Sequence, residues 1–368
     1  MIKKIKSFCK SQTVLVIAFI LAVITVFIVP PDEKYAGYCN RAVLIQLFAL
    51  MLSVAGLRST GIFEKLTDII LTKSGNVRKL GILFVCVCFF SSMLVTNDVA
   101  LITFVPLTIL TFEHIKDEKS RIITIVLETA AANLGSMMTP VGNPQNIYLY
   151  DTYKLTASDF VKTMLPTGII SIVLLVFLTF LLPKTPCRTH DKKDININLK
   201  LSAAYSILFI ICIMTVFRFI PDYVCLIVAV VTALIFDRKL LIKVDYALLF
   251  TFVCFFVFVG NISRIETVSD FFSEILSGRE ILVSALLSQV ISNVPAAVML
   301  SGFSDEGLKL LLGVNIGGLG TLIASLASLI SYQFYSKSRG ADSKRYMLTF
   351  SAVGFPMLAV LLLINIFI

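Results

Sequence analysis

Polar side chains and helix-breaking residues interrupt four apolar stretches of this chain, two in each half. In the first half the interrupted stretches are 79–112 and 121–149, and in the second half they are 280–303 and 307–335. Carbonyl oxygens freed at a helix break, with Asn, Ser and Thr oxygens, suit hard cations, and N–H groups at a helix start attract anions. These residue types therefore favour binding of a small ion over covalent catalysis.

The interruptions in the two halves match each other. Asn133, Gly135 and Thr139 are followed by equivalent residues at a constant offset of 182 positions, namely Asn315, Gly317 and Thr321. The tips of the other two stretches carry Thr96-Asn97-Asp98 and Ser292-Asn293-Val294. We interpret the match as an internal repeat whose polar residues share one purpose.

This repeat defines the candidate binding residues. Packing between helices explains any one of them equally well, but it does not explain a repeated set broken by proline. We expect Na⁺ to bind at Asn97, Asn133, Asn293 and Asn315. The full candidate set for substrate and ion is Thr96, Asn97, Asp98, Asn133, Gly135, Thr139, Pro140, Gly142, Asn143, Asn146, Ser292, Asn293, Pro295, Asn315, Gly317, Gly318, Thr321 and Ser325.

The composition places these stretches in a membrane. Of the 368 residues, 57% are hydrophobic and 15% are charged, whereas soluble domains have roughly 45–50% and 25%. Blocks such as 13–29 are nearly free of charge and long enough to cross a bilayer. A soluble enzyme, a disordered chain and a secreted disulfide scaffold are excluded. The net charge of +9 comes from short loops, without the basic face that nucleic-acid binding needs.

The distribution of positive charge predicts the topology. We draw crossings at 13–30, 42–57, 121–149, 161–183, 203–220, 222–236, 246–262, 307–335 and 345–368. The stretches 79–112 and 280–303 are broken by polar pairs into halves short for a crossing, and we predict re-entrant hairpins there. With the N-terminus inside, 24 of the 32 Lys and Arg residues are cytoplasmic, and the C-terminus lies outside. Two crossings per hairpin would preserve this parity, so charge leaves that alternative open.

The predicted fold is therefore an all-α polytopic membrane protein. It has two inverted repeats, with about nine crossings plus two re-entrant hairpins. The first repeat is 1–183, the cytoplasmic linker is 184–202, and the second repeat is 203–368. Amphipathic stretches at 62–71 and 268–276 precede the hairpins and should lie along the membrane interface. Paired broken helices in inverted repeats are typical of secondary transporters.

Ionisable residues inside the apolar regions are few. Asp98 and Glu128 are the two carboxylates there, and intramembrane carboxylates are candidates for function. Asp98 could join a cation site or carry a proton, whereas Glu128 either has a function or pairs with a basic group near the cytoplasm. We expect Arg58 and Arg264 to anchor the chain at the membrane interface rather than to bind substrate. Neither a nucleotide-binding motif nor a metal-ligand cluster is present, so we expect no enzyme and no cofactor beyond a coupling ion.

The motifs resemble a known family. Thr96-Asn97-Asp98 and the stretch from Asn133 to Asn146 are similar to the ion transporter superfamily, which includes divalent-anion/sodium symporters, citrate carriers, arsenite/antimonite permeases and sodium/proton antiporters. Ser292-Asn293-Val294-Pro295 resembles the second half of the arsenite-permease branch. The resemblance covers nearly the whole chain. It implies a dimerising scaffold and an elevator-type transport part that carries both hairpins and both broken spans, with 62–71 and 268–276 as connecting arms.

Departures from the family pattern bear on the substrate. The divalent-anion branch has Ser-Asn-Thr at its hairpin tips, and this chain keeps only the first two positions. The antiporter branch tends to have Gly-Asp-Pro where this chain has Gly142-Asn143-Pro144. We expect secondary transport of a small anion, a di- or tricarboxylate or inorganic oxyanion, coupled to Na⁺ or H⁺ by a homodimer in the cytoplasmic membrane. The alternatives are an arsenite/antimonite efflux permease and a sodium/proton antiporter.

Overall fold

The computed structural model describes residues 12–63, 65, 75–186 and 197–367. These residues are almost entirely helical, and the one β-bridge among them joins Asn76 to Pro186. We number the helices of eight or more residues α1 (Thr13–Ile28), α2 (Arg41–Arg58), α3 (Val77–Val95), α4 (Asn97–Ile115), α5 (Glu118–Ser136), α6 (Pro144–Thr152), α7 (Ala157–Leu178), α8 (Leu199–Val216), α9 (Asp222–Phe236), α10 (Tyr246–Ile262), α11 (Glu266–Leu276), α12 (Glu280–Ile291), α13 (Asn293–Leu300), α14 (Gly307–Ile316), α15 (Leu326–Ser336) and α16 (Ser343–Phe367).

The helices confirm the predicted all-α polytopic membrane class. Five helices of the described chain are long and apolar enough to cross a membrane, namely α2, α3, α7 with the short turn after it, α8 and α16. A sixth results if α10 and α11 count as one bent span. The predicted span 121–149 is broken into α5 and α6, and 307–335 is broken into α14 and α15.

The two predicted hairpins differ in length. In the first, α3 and α4 have 19 residues each and are separated by Thr96 alone, so its arms are not short for a crossing as the sequence suggested. The arms extend because Asn76 caps the start of α3, and a left-handed residue, Lys116, ends α4. The second hairpin is compact, with 12 residues in α12 and 8 in α13.

A sharp bend separates α10 from the amphipathic helix α11. The two helices meet at 103°, so α11 leaves the direction of the preceding span. Arg264 at the bend donates to both carboxylate oxygens of Asp32 and to the Tyr38 hydroxyl. This guanidinium lowers the pKa of the Asp32 carboxyl. The first amphipathic stretch, 62–71, and the middle of the linker lie largely outside the described residues.

One helix occupies the centre of the fold. Every residue of α5 from Ser120 to Ser136 is buried, and α5 packs against α3, α4, α7, α15 and α16. Large apolar side chains such as Phe27, Phe177 and Ile227 are exposed on the outer helices, as expected of lipid-facing surfaces. The end of α5 consequently places its polar residues deep inside the molecule.

Candidate binding site

Each half of the chain contributes an asparagine that completes the helix break of the other half. Asn133, at the end of α5, accepts from the Ser325 hydroxyl at 2.9 Å and donates to the Ser328 hydroxyl at 3.3 Å. Its counterpart Asn315, at the end of α14, accepts from the side-chain nitrogen of Asn143 at 3.2 Å and donates to the Asn146 oxygen at 2.7 Å.

This exchange follows the offset found in the sequence. Asn143 and Asn146 stand at the positions that Ser325 and Ser328 occupy in the second half. The two sets of contacts are therefore related by the repeat, and the two breaks lie against each other. All six side chains are buried. Such a network is strongly held, because a buried polar group without a partner costs free energy.

Two threonines attach the hairpins to the breaks in the same way. The Thr139 hydroxyl donates to the carbonyl of Met93, and the Thr321 hydroxyl donates to the carbonyl of Gln289 at 3.0 Å. Each acceptor lies three residues before the residue at a hairpin tip, Thr96 or Ser292. The predicted binding residues Thr139 and Thr321 thus hold backbone in place in this structure.

The paired glycines Gly135 and Gly317 bring the broken helices close to the hairpins. A Cβ on Gly135 would collide with the backbone carbonyl of Phe89, and a Cβ on Gly317 would lie 2.8 Å from the Cα of Ala285. Phe89 and Ala285 both lie eight residues before a tip asparagine. These two glycines permit close packing of the hairpin against the break.

The hairpin tips adopt matching backbone conformations. Thr96 has φ 70° and ψ 151°, and Ser292 has φ 77° and ψ 155°. This region of backbone space is accessible to glycine and costs other residues about 1–3 kcal/mol, so it is retained where surrounding structure enforces it. The strained residue lets each chain reverse with one residue between two helices.

Four helices begin at these tips and breaks without a capping side chain. Thr96, Asn143, Ser292 and Ser325 precede α4, α6, α13 and α15, and none accepts a hydrogen bond as a cap. Elsewhere in the described chain, Asn, Asp or Thr at this position does cap its helix, as in α2, α3, α5, α7, α8 and α10. The four helix starts therefore lack an acceptor at the capping position, although in the first turn Asn97 and Asn293 each accept from the next backbone N–H and α4 carries Asp98.

Hydrogen bonds connect these four helix starts. The Asn97 backbone N–H donates to the Gly142 carbonyl at 3.3 Å, and the Ser292 hydroxyl donates to the Ala324 carbonyl at 3.4 Å. The Asn97 side chain also donates to the Asn133 oxygen at 3.0 Å, and Asn133 in turn contacts Ser325. The four starts thus form one site.

The two tip asparagines are not equivalent. Both accept from the next backbone N–H, of Asp98 or Val294. Only Asn97 reaches across to its own repeat's broken helix. The side-chain nitrogen of Asn293 donates no side-chain hydrogen bond to the described residues, and it lies beside Gly318. The second hairpin therefore retains a free donor at the site.

The asparagine oxygens predicted to bind Na⁺ all take part in hydrogen bonds in this structure. The side-chain oxygens of Asn97, Asn133, Asn293 and Asn315 each accept at least one hydrogen bond. The side-chain oxygen of Asn143 is buried and has no partner among the described residues. An amide oxygen left unpaired in this way is the most readily available cation ligand at the site.

The remaining predicted residues surround this centre. Pro140 is buried in the first break, Pro295 is buried at the start of α13, and Gly142 packs against the Ser136 carbonyl. Asp98 is half-buried in the first turn of α4. No Lys or Arg side chain bonds to the amide and hydroxyl network within the described ranges. The site is therefore polar but carries no cationic side chain.

Sequence reasoning missed three members of the site. Ser136 accepts from the Asn143 side chain at 2.8 Å, and Gln145 donates to the Asn315 oxygen at 3.5 Å. Gln289 accepts from the Thr321 backbone N–H at 2.9 Å and donates to the Gly317 carbonyl at 2.7 Å. Ser136 and Gln145 lie inside the aligned motif, which gave a signal for them. Gln289 lies in an apolar helix, one turn before the tip, where its position was the only clue.

A core of broken helices surrounded by apolar spans defines a membrane transporter. The family model for the citrate transporter matches residues 3–304, and this chain belongs to that family. The resemblance inferred from the motifs is thereby confirmed.

Similar proteins agree with this assignment. An uncharacterised transporter of Methanocaldococcus jannaschii is 34% identical over 296 residues, which cover 78% of this chain and 79% of the relative. The inner membrane protein YbiR of Escherichia coli is 30% identical over 338 residues, covering 90% and 88%. The crystal structure of the YdaH transporter of Alcanivorax borkumensis matches with a TM-score of 0.57 at 12% identity, covering 90% of this chain and 86% of that one. The last likeness concerns the fold alone.

Proposed function

We propose that this transporter moves a small anion, a di- or tricarboxylate or an inorganic oxyanion, across the cytoplasmic membrane by secondary transport. The observation that supports this proposal is the group of four linked helix starts without capping side chains. Backbone N–H groups and the positive ends of helix dipoles attract anions, and discontinuous helices present them at the binding sites of secondary transporters. An anion bound there would accept hydrogen bonds from backbone N–H groups, as capping side chains do elsewhere.

The coupling ion in this proposal is Na⁺ or H⁺. The unpaired buried oxygen of Asn143 supports a cation beside the anion, because amide oxygens are suitable ligands for a hard cation. Such a cation would offset the charge of the anion and make binding of the two cooperative. Cation binding at the predicted residues Asn97, Asn133, Asn293 and Asn315 then requires exchange of their present hydrogen bonds.

The helix contacts support an elevator mechanism. Helices α2, α8 and α9 pack on one another and α1 packs on α10, whereas α5 packs on both arms of the first hairpin and on α15. We propose that the first group is a scaffold through which a homodimer forms, and that the hairpins and broken helices move against it. The α11 helix would serve as a connecting arm.

A second candidate is efflux of a neutral oxyacid such as arsenite or antimonite. The lack of a bonded Lys or Arg in the described site favours it, because a neutral polyhydroxyl solute needs hydrogen-bonding partners rather than charge. The sodium/proton antiporter alternative has less support, since Asn143 stands where that branch has an acid. An anionic substrate should depend for its binding on the positive ends of the helix dipoles. A neutral substrate should bind equally well at every pH at which it stays uncharged.

The test is a ligand screen followed by flux measurement. Purified protein is melted with citrate, succinate, malate, sulfate, phosphate or arsenite, each with and without Na⁺, because a ligand of the native state raises the melting temperature. We expect one anion to raise it, and to raise it further with Na⁺ or at low pH. The same solute is then followed into proteoliposomes. A response to arsenite alone would favour the efflux alternative.

Substitutions at the hairpin tips test the location of the site. We predict that Asn97→Ala and Asn293→Ala each reduce uptake of the identified solute at least about tenfold, which corresponds to roughly 1.4 kcal/mol of lost interaction. Asn365→Ala is the matched control, because Asn365 lies on α16 and contacts Thr167 rather than the site. Full uptake by both tip variants would contradict the assignment.

A further inference from the structure

Glu128 is a buried carboxylate that the site described above does not use. It lies on α5, with no exposed surface, on the cytoplasmic side of Asn133 in the predicted topology. Its Oε1 accepts a hydrogen bond from the Thr108 hydroxyl at 2.6 Å. Its Oε2 is buried and has no partner among the described residues. A carboxylate held in this way needs either a counter-charge or a proton.

The basic residue near the cytoplasmic end of α5 forms its ion pairs with carboxylates other than Glu128. Arg121 lies two helical turns before Glu128, and its guanidinium contacts Glu118 at 2.5 Å and Glu113 at 3.9 Å. The same guanidinium donates twice to the Arg339 carbonyl, at 3.2 Å. Pairing of Glu128 with a basic group near the cytoplasmic end is therefore not what the structure shows.

The helices around Glu128 carry other unsatisfied oxygens. Helices α5 and α15 are joined at one end by Asn133 and Ser328, and at the other by Arg121 and the carbonyl of Arg339, three residues beyond the end of α15. Between these two connections lie Glu128 on α5 and Ser331 on α15. The hydroxyls of Ser331 and of Tyr346, on the adjacent α16, are buried and bond to none of the described residues, and the same holds for the hydroxyl of Thr124 one turn from Glu128.

A small cavity lies between α5 and α16 beside the binding site. Its lining includes Thr129, which follows Glu128, and Asn133, which belongs to the site, together with Phe350 and Gly354 of α16. The volume of about 10 Å³ is close to what a single water molecule requires. The cavity thus lies on the face of α5 that carries Asn133, and Glu128 is not among its lining residues.

The ionisable side chains that face Glu128 from the packed helices are a thiol and phenols rather than cations. The ionisable groups within electrostatic reach are Cys88 on α3 and Tyr346 on α16, with Tyr332 and Tyr335 of α15 beyond Tyr346. The facing residue of α4 is Thr108. The ionisable residues of α7, Asp159 and Lys162, lie in its first turns, and Lys309 of α14 lies at the start of that helix. The described surroundings therefore supply no cation to balance an ionised Glu128.

We propose that Glu128 is the proton-binding site of the transport cycle, separate from the anion site. A proton from the cytoplasmic side binds a carboxylate oxygen of Glu128 and gives a neutral acid, and the same proton is released when the site is exposed to the other face. The orphaned hydroxyls of Thr124, Ser331 and Tyr346 would provide the route. This inference rests on the proposed function for its role in coupling, but protonation of Glu128 can be measured without any substrate.

Infrared spectroscopy tests the protonation directly. Difference spectra of the purified protein between mildly acidic and mildly alkaline buffer should show the carbonyl stretch of a buried protonated carboxyl. We expect this band to be absent in Glu128→Gln, in which Thr108 can still donate to the amide oxygen. Glu306→Gln, an exposed control, should retain it, as should Asp98→Asn. A band that persists in Glu128→Gln, or that disappears on adding Na⁺ at constant pH, would overturn the proposal.

Proton flux tests the coupling. Proteoliposomes containing a pH-sensitive dye are exposed to the solute identified by the melting screen, with citrate, sulfate and arsenite as the probes. The wild type and Glu306→Gln should move protons with the solute. Glu128→Gln should lose the proton movement and the pH dependence of uptake while still binding the solute in the melting assay. If the infrared band of Glu128 is normal but no probe drives proton movement, protonation of Glu128 stands and the proposed substrates are contradicted.

Discussion

At the scale of single residues, Asn133 and Asn315 make the hydrogen bonds on which the two helix breaks depend. Each satisfies polar groups contributed by the opposite half, and each is buried. Replacing Asn133 with Ala would leave the Asn97 amide and the Ser325 hydroxyl without their acceptor. Since each buried orphan costs roughly 1–3 kcal/mol, we predict that Asn133→Ala lowers the melting temperature in detergent clearly more than Asn365→Ala does. Equal melting temperatures for the two variants would show that the network relaxes or is filled by water.

Gly135 gives a second prediction at this scale. Because a Cβ at this position meets the Phe89 carbonyl and lies 2.6 Å from the Ser92 hydroxyl, Gly135→Ala must displace α3 from α5. Overpacking of this kind costs about 1–3 kcal/mol. Gly37→Ala is the control, because a Cβ there meets nothing within 4 Å. The melting temperatures of the two variants check this prediction. A Gly135→Ala variant that melts at the wild-type temperature would mean that the hairpin can shift relative to the broken helix without cost.

At the scale of helices, the tips of the hairpins store backbone strain. Thr96, a β-branched residue, has a φ of 70°, which favours glycine. We predict that Thr96→Gly stabilises the folded protein by about 1 kcal/mol through relief of this strain. Thr103→Gly, within α4, should have the opposite effect, because glycine inside a helix costs roughly 1 kcal/mol. Chemical or thermal unfolding in detergent gives the sign of the change in stability for both variants. A destabilised Thr96→Gly would indicate that the contacts of the Thr96 side chain stabilise the protein by more than its backbone strain costs.

Most helices were predictable, and the reason is physical. Apolar length and charge placed the ends of α9 and α10 at the predicted positions, and the Gly- and Pro-bearing motifs placed both breaks. The arms of the first hairpin were underestimated, because charged residues such as Arg78 and Glu113 extend the two helices beyond the predicted stretch 79–112.

The site was predictable in membership but not in its contacts. The repeat identified Asn133, Thr139 and their counterparts, yet it could not show that the two halves exchange partners. Nor could it show that Thr139 and Thr321 bind backbone carbonyls, since a carbonyl acceptor has no residue type and leaves no trace in a sequence. Glu128 was visible as an intramembrane carboxylate, but its lack of a basic partner depends on where Arg121 points.

At the scale of the whole molecule, orientation in the membrane is the property most open to test. The charge bias predicts that the loop containing Ser304 faces outside and that the loop containing Lys337 faces the cytoplasm. In a background without the native cysteines, we predict that Ser304→Cys reacts with an impermeant maleimide on intact cells. Lys337→Cys should react only after the membrane is permeabilised. The reverse pattern would invert every loop of the predicted topology.

The reciprocal exchange between Asn133 and Asn315 has an evolutionary consequence. Neither half can complete its own break, so an ancestral protein of half this length would have needed two copies in opposite orientations before fusion joined them. Once fused, the halves would be free to diverge, and they differ at these positions, with Asn143 and Asn146 in one half and Ser325 and Ser328 in the other. Divergence is constrained in pairs, however, because a change at one break must suit the asparagine supplied by the other half. A chain severed within 187–196 should accordingly regain its structure only when both fragments are made in the same cell.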